Sequence, residues 1–212
     1  MPHRVPGYLR LHAMLPIVVL GATFTADAEM IGGWHFNDLD GSELEMIADH
    51  GSGLLSRDQL GGAFLLYEGT TLNAASDDLA GQAIGVRGSG ANGTWFELAC
   101  ASVPGLECTL SFAWRSTATG FDDNLVQYRV GRDWLTLGAF GEDADGGWKR
   151  VALSFVGGLE ETRLRIRLDG ADGANGVTRF DNLQLASVPA PGAWALCAVG
   201  GLLGTVSRVR RH

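Results

Sequence analysis

From about residue 30 to residue 187 the chain is a series of short apolar runs separated by glycine, asparagine and aspartate. The runs are EMIGGWHF, AFLLYEG, QAIGVRG, TWFELAC, CTLSFAWRS, LVQYRVG, WLTLGAF, WKRVALSFV, TRLRIRLDG and TRFDNLQLA. GSG, SGANG, STATGFDD, EDADGG and DGADGANG lie between them. Short strands at this spacing, bounded by turn formers, predict an all-β sandwich or barrel. The strictest alternation is Thr162-Arg163-Leu164-Arg165-Ile166-Arg167-Leu168. It predicts a half-buried strand with leucine and isoleucine on one face and three arginines on the other. Arg179, Asp181 and Gln184 interrupt the last run, which predicts a strand with one wet face. The only helix-like segment is residues 42–49, with Ser42 as N-cap and Glu45 at the capping-box position.

The two ends follow a different pattern. Arg4 and Arg10 precede an apolar run over residues 13–24, and Ala26-Asp27-Ala28 follows. A charged region, a short apolar region and a small-x-small site form a secretory signal peptide, with cleavage leaving Glu29 first. The run is shorter than the roughly 20 residues a spanning helix needs, and Pro16 argues against a long regular helix. At the other end Val188-Pro189-Ala190-Pro191 forms a Pro-rich hinge. An uncharged segment, 192–207, comes next, and then Arg208, Arg210 and Arg211. Proline ends whatever fold precedes it, and an apolar segment with a cationic stop keeps its tail on the cytoplasmic side. This end resembles the PEP-CTERM sorting signal, with Ala190 where that family usually has glutamate. The resemblance implies an exosortase-like processing enzyme as partner and a transient stay in the inner membrane. An ordinary C-terminal membrane anchor is the alternative. The expected organisation is a signal peptide over 1–28, one β-sandwich domain over 29–187 and a sorting tail over 188–212.

Charge narrows the partners. The whole chain carries 24 acids and 16 Lys plus Arg. Setting both ends aside removes one acid, Asp27, and five arginines, which leaves 23 acids against 11 bases, a net charge of −12. Nucleic acid is excluded as a partner, because its phosphates demand a cationic face. Of the three cysteines, Cys197 lies in the apolar tail. Cys100 and Cys108 flank a seven-residue stretch, ASVPGLE, between two strand-like runs. In an oxidising compartment they read as a disulfide across the loop base; two buried thiols are the alternative.

The body motifs GWHFNDLDG, GTTLNA, LSFAWRSTATGF, YRVGRDW and RFDNLQL resemble the jelly-roll body of many PEP-CTERM proteins. That body is similar in layout to galactose-binding-like and carbohydrate-binding modules. The resemblance implies a jelly-roll β-sandwich whose first and last strands are neighbours. It also implies one structural Ca²⁺ between those strands, held here by Asn37, Asp38 and Asp181. The alternative is that these residues form turns by bonding their own backbone. No other cofactor is implied.

Catalytic signatures are missing. There is no GxSxG elbow, no HExxH and no CxxC, and the G-x-G runs lie between strands with no helix after them. His35 in GWHFN reads as a structural or surface residue rather than a base. The acid pairs Asp77-Asp78, Asp122-Asp123 and Glu160-Glu161 read as solvated loop acids, although a glycosidase would need two carboxylates across a cleft. Sugar binding needs an aromatic platform. Trp95, Trp114, Tyr128, Trp134 and Trp148 are the candidates by type, and each has a core reading as well. The expectation is an exported, non-catalytic surface or matrix protein whose role within exopolysaccharide is structural or glycan-interacting. A secreted polysaccharide hydrolase and a plain anchored surface protein are the competing readings.

Overall fold

The structure is a computed structural model and describes residues 28–75, 78–101, 103–142, 145–158 and 161–188. Thirteen strands follow in chain order: β1 (Glu29–Trp34), β2 (Glu45–Ile47), β3 (His50–Gly51), β4 (Leu54–Ser56), β5 (Phe64–Glu68), β6 (Gln82–Arg87), β7 (Trp95–Cys100), β8 (Glu107–Ser116), β9 (Asn124–Val130), β10 (Asp133–Phe140), β11 (Lys149–Val156), β12 (Thr162–Arg167) and β13 (Val177–Val188). They form two sheets. A seven-stranded sheet runs β11-β8-β13-β1-β3, with β6 also on β13 and β5 on β6; a six-stranded sheet runs β10-β9-β12-β7-β4-β2. The expected all-β sandwich is therefore present, and the chain alternates between the two layers as a jelly roll does.

Alternation decides which residues fill the space between the sheets. In β12 the side chains of Leu164 and Ile166 are fully buried, while Arg163, Arg165 and Arg167 face outward, as the sequence predicts. The core is joined across the layers by aromatic rings. Phe180 of β13 packs against Phe96 of β7 at 5.1 Å, Phe112 of β8 at 6.0 Å and Phe140 of β10 at 6.1 Å.

The first and last strands are neighbours: β1 pairs antiparallel with β13 from Glu29↔Ser187 to Trp34↔Leu183. The last strand departs from its expected wet face. Asp181 is fully buried and Asn182 nearly so. The register with β8 slips between Asp181 and Gln184. At the same point the neighbour on the opposite edge changes from β6, which pairs with residues 177–180, to β1, which starts at residue 183. On that edge Asp181 and Asn182 thus have no partner strand, while Asp181 still pairs with Ala113 of β8, and Asn182 takes a left-handed φ of 49°. Their side chains make the missing bonds instead.

The helix expected over 42–49 does not form. Asp40 accepts the Ser42 N–H at 2.8 Å, and the Glu43 carboxylate accepts the N–H groups of Asp40 and Gly41, each at 3.0 Å. These acids close a turn rather than cap a helix. Beyond it Met46 is buried while Glu45 and Ile47 point out, the period of a strand.

The disulfide is likewise corrected: Cys100 and Cys108 are free, buried thiols. The first ends β7 in one sheet and the second lies in β8 in the other. Burial pushes the Cys100 thiol up to about 12, with Glu161 adding to the shift, and burial raises Cys108 as well. Neither forms the reactive thiolate readily. Native protein at pH 8 should therefore leave both thiols untouched by a disulfide-exchange reagent until it is unfolded. A Cys100–Cys108 peptide in a non-reduced digest would contradict this.

Candidate functional site

The six-stranded sheet carries a continuous polar row on its outer face. Successive cross-strand pairs run Glu45↔Ser56, Ser56↔Glu97, Glu97↔Arg165, Arg165↔Gln127 and Gln127↔Thr136. Side chains paired across strands share a face, so six strands contribute to one line of hydrogen-bonding groups. Two half-buried tryptophans flank its centre. The Arg165 guanidinium lies 5.1 Å from the Trp95 ring and 4.4 Å from the Trp134 ring. Its Nε donates to Gln127 Oε1 at 2.7 Å. Each cation–π contact contributes about 0.5–2 kcal/mol and orients both indoles.

Charge along β12 is handled unevenly. Arg163 bonds Glu161 at 2.7 Å and Glu97 at 3.0 Å, and these contacts hold its guanidinium above the usual arginine range. Arg167 bonds Asp169 at 2.7 Å. Arg165 has no carboxylate within ion-pair distance among the described residues. Burial lowers its pKa, Glu97 opposes that, and Arg167 adds to it. A guanidinium stays charged through any such shift. The centre of the face therefore presents an unneutralised cation between two indoles.

The other aromatic candidates fall elsewhere. Trp114 and Tyr128 belong to the core. Trp148 lies beside Arg115 of the seven-stranded sheet, 5.7 Å from its guanidinium. Asp122 and Asp123 line a cleft with Glu142, but Lys149 and Arg150 line the same cleft. Asp77 and Glu160 lie outside the described residues.

A second polar cluster sits where one edge of β13 passes from β6 to β1 and is left unpaired. Asp181 Oδ2 accepts the Thr70 N–H at 2.6 Å and Oδ1 accepts the Asn182 N–H at 2.8 Å. Asn182 Nδ2 donates to the carbonyls of Thr70 at 2.6 Å and Leu72 at 3.0 Å, so the loop after β5 is laced onto the bulge. Asn37 holds the far side of that loop: its Oδ1 accepts the Gln82 N–H at 2.8 Å and its Nδ2 donates to Leu79 O at 3.2 Å. Asp38 is exposed and apart from these bonds. Burial pushes the Asp181 carboxyl up to about 7 against the pull of the two N–H donors, and Asp78 adds to the rise. Around Gly69 three oxygens converge: Ala80 O, Asp181 Oδ2 and Gln82 O all lie within 2.8 Å of the point a Cβ would take. A buried carboxylate lacking a counter-charge among converging carbonyls is a donor set that suits a hard cation. Of the three residues expected to hold Ca²⁺, Asp181 belongs to this set, Asn37 borders it and Asp38 does not.

Val188 ends β13, whereas Pro189, Ala190, Pro191, Arg208, Arg210 and Arg211 lie outside the described residues, as does the signal segment before residue 28. Among the described residues no helix is long and apolar enough to cross a membrane.

No family model matches the chain, and no curated protein matches it. Several solved structures are similar to it at low identity. A xylan-binding CBM22-1 domain from Paenibacillus barcinonensis Xyn10C is 13% identical, with 77% of this chain and 97% of that one covered and a TM-score of 0.48. A carbohydrate-binding module of Cellvibrio mixtus lichenase 5A, solved with cellotriose, is 11% identical over 74% and 96%, with a TM-score of 0.41. The K2 cleaved adhesin domain of Lys-gingipain is 10% identical over 75% and 98%, with a TM-score of 0.42.

Proposed function

We propose that this chain is an exported, non-catalytic β-sandwich that binds an acid-bearing extracellular polysaccharide on the outer face of its six-stranded sheet. One observation carries the reading: Arg165, without an ion-paired carboxylate among the described residues, stands between Trp95 and Trp134 on a polar row that crosses six strands. Indole faces cover the apolar faces of sugar rings, and the row of amide, hydroxyl and carboxylate groups bonds ring hydroxyls. Arg165 supplies a planar donor for a uronate carboxylate. Glu97, cross-strand from Arg165, is paired with Arg163 at 3.0 Å, and acids beyond about 8 Å are screened at physiological ionic strength.

The ends complete the proposal. The signal segment exports the chain, and the hinge, apolar segment and arginines pass it through the inner membrane to an exosortase-like enzyme and the cell surface or matrix. A structural Ca²⁺ at Asp181, with the Ala80 and Gln82 carbonyls, supplies the counter-charge that the buried carboxylate lacks and fastens the loop after β5.

Affinity electrophoresis in gels containing polyuronate or neutral glucan tests the binding face. Trp134→Ala and Trp95→Ala should each weaken polyuronate binding roughly 10–30-fold, as central anchors do. Arg165→Leu should remove the preference for polyuronate, and Trp148→Ala should change nothing. Equal retardation of all four variants would refute the assignment of this face.

A further inference from the structure

On the opposite sheet, at the edge formed by β1 and β3, two histidines face one another. His35 follows β1, His50 lies in β3, and Gly33 pairs with His50 across the two strands. The rings meet edge-on, 5.9 Å between centroids at 70°. Asp78, from the loop between β5 and β6, reaches back to His50, with Oδ1 and Oδ2 each 3.1 Å from Nε2. One donor atom from each of His35, His50 and Asp78 lies within 4.8 Å of the other two, and all three residues are half-buried. Strand pairing brings the histidines together, and the loop adds a carboxylate 28 residues further along.

We propose that His35, His50 and Asp78 form a binding site for a borderline transition-metal dication, with Zn²⁺ as its simplest occupant. The donor chemistry selects the metal class. Imidazole nitrogen with one carboxylate suits zinc, copper, nickel or iron, whereas Ca²⁺ and Mg²⁺ take oxygen shells. The spacing suits it too. Zinc bonds of 2.0–2.2 Å in a tetrahedron put neighbouring donors roughly 3.3–3.6 Å apart, a few tenths more than the 3.1 Å between His50 and Asp78. Three protein ligands leave one position open, the layout of an exchangeable rather than a closed site. Asp49 stands behind His35, its Oδ2 accepting the His35 main-chain N–H at 2.8 Å and lying 3.6 Å from the ring Nδ1. That is the place of the outer carboxylate that orients a ligating imidazole. Metal at the other ring nitrogen puts a proton on Nδ1, which now accepts the Asn37 N–H at 3.1 Å, and loss of that bond is the cost of the site. Occupancy clips the loop carrying Asp78 to the sheet edge. The site is independent of the glycan face, which lies on the other sheet.

The test uses the full chain, stripped with a chelator and titrated calorimetrically with Zn²⁺. One equivalent should bind, and equimolar Ca²⁺ should not displace it. His50→Gln and Asp78→Asn should each weaken binding at least tenfold, and Asp49→Asn by about tenfold through His35 alone. Unchanged Zn²⁺ affinity in His50→Gln would overturn the site, because the metal would then rest on other histidines. Carbethoxylation of the unaltered protein keeps the test open if a variant fails to fold. Zn²⁺ should protect His35 and His50 from modification. Equal modification with and without Zn²⁺, or protection confined to His3, His12 or His212, would overturn the proposal.

Discussion

Stripped of metal, the protein should lose stability as pH rises from about 4 to about 7. The group responsible is Asp181, whose buried carboxyl is pushed up to about 7 in the fold but titrates near 3.9 when the chain is unfolded. Between those values the folded protein holds a proton that the unfolded chain has released. Stability changes with pH as the difference in bound protons, unfolded minus folded, so it falls across this window. Three pH units at 1.36 kcal/mol each set a ceiling of about 4 kcal/mol. Urea melts at half-unit intervals should show the decline, and Asp181→Asn should flatten it. The variant starts from a lower absolute stability, because asparagine keeps one acceptor for the Thr70 and Asn182 N–H groups where aspartate has two. An unchanged slope in Asp181→Asn would assign the effect to other groups. Saturating Ca²⁺ at pH 7.5 should raise the melting temperature of the unaltered protein by binding linkage, about 2.7 kcal/mol at a hundred times the dissociation constant. Asp181→Asn should not respond.

The second large effect lies in the core. Phe180→Ala should destabilise the domain by about 3–5 kcal/mol. Its ring touches Phe96, Phe112 and Phe140, so one deletion opens a cavity that both sheets line. The lost ring pairs contribute about 0.5–1.5 kcal/mol each beyond buried area. Phe96 is next to Trp95 in β7 and pairs with Ile166, the neighbour of Arg165. The cavity should therefore loosen the glycan face as well as lower the urea midpoint. A loss under 1 kcal/mol would show that the surrounding rings close over the gap.

Much of the fold was legible because alternation is a local signal. Arg163, Arg165 and Arg167 declared the outer face of β12 from their spacing alone, whereas the adjacency of the first and last strands, GWHFN and RFDNLQL, came from the resemblance to jelly rolls and not from alternation. The helix expected over 42–49 misled because a capping pattern also fits an acid-closed turn, and only the burial of Met46 separates the two. Asp181 was read as wet because its burial depends on a change of partner strand, a nonlocal event with no trace in the strand's own residues. The cysteine bridge failed for the same reason: a short loop reads alike whether it turns within a sheet or crosses between sheets. At the candidate site, residue type singled out Trp95 and Trp134 but could not separate them from Trp114 and Tyr128 in the core. Their bond to Arg165 needs the order β10-β9-β12-β7, which pairing across distant segments alone fixes. The meeting of His35, His50 and Asp78 was hidden in the same way, since one follows β1, one lies in β3 and one in a distant loop.

Hydroxyl-radical footprinting of the protein with and without a saturating polyuronate tests the central claim most directly, because indoles report their own cover. Binding on the outer face of the six-stranded sheet predicts that oxidation of Trp95 and Trp134 falls together while Trp148, beside the other sheet, is oxidised as before. Protection of Trp148 with Trp95 and Trp134 unchanged, or retention of the polymer with no tryptophan protected, would contradict the account.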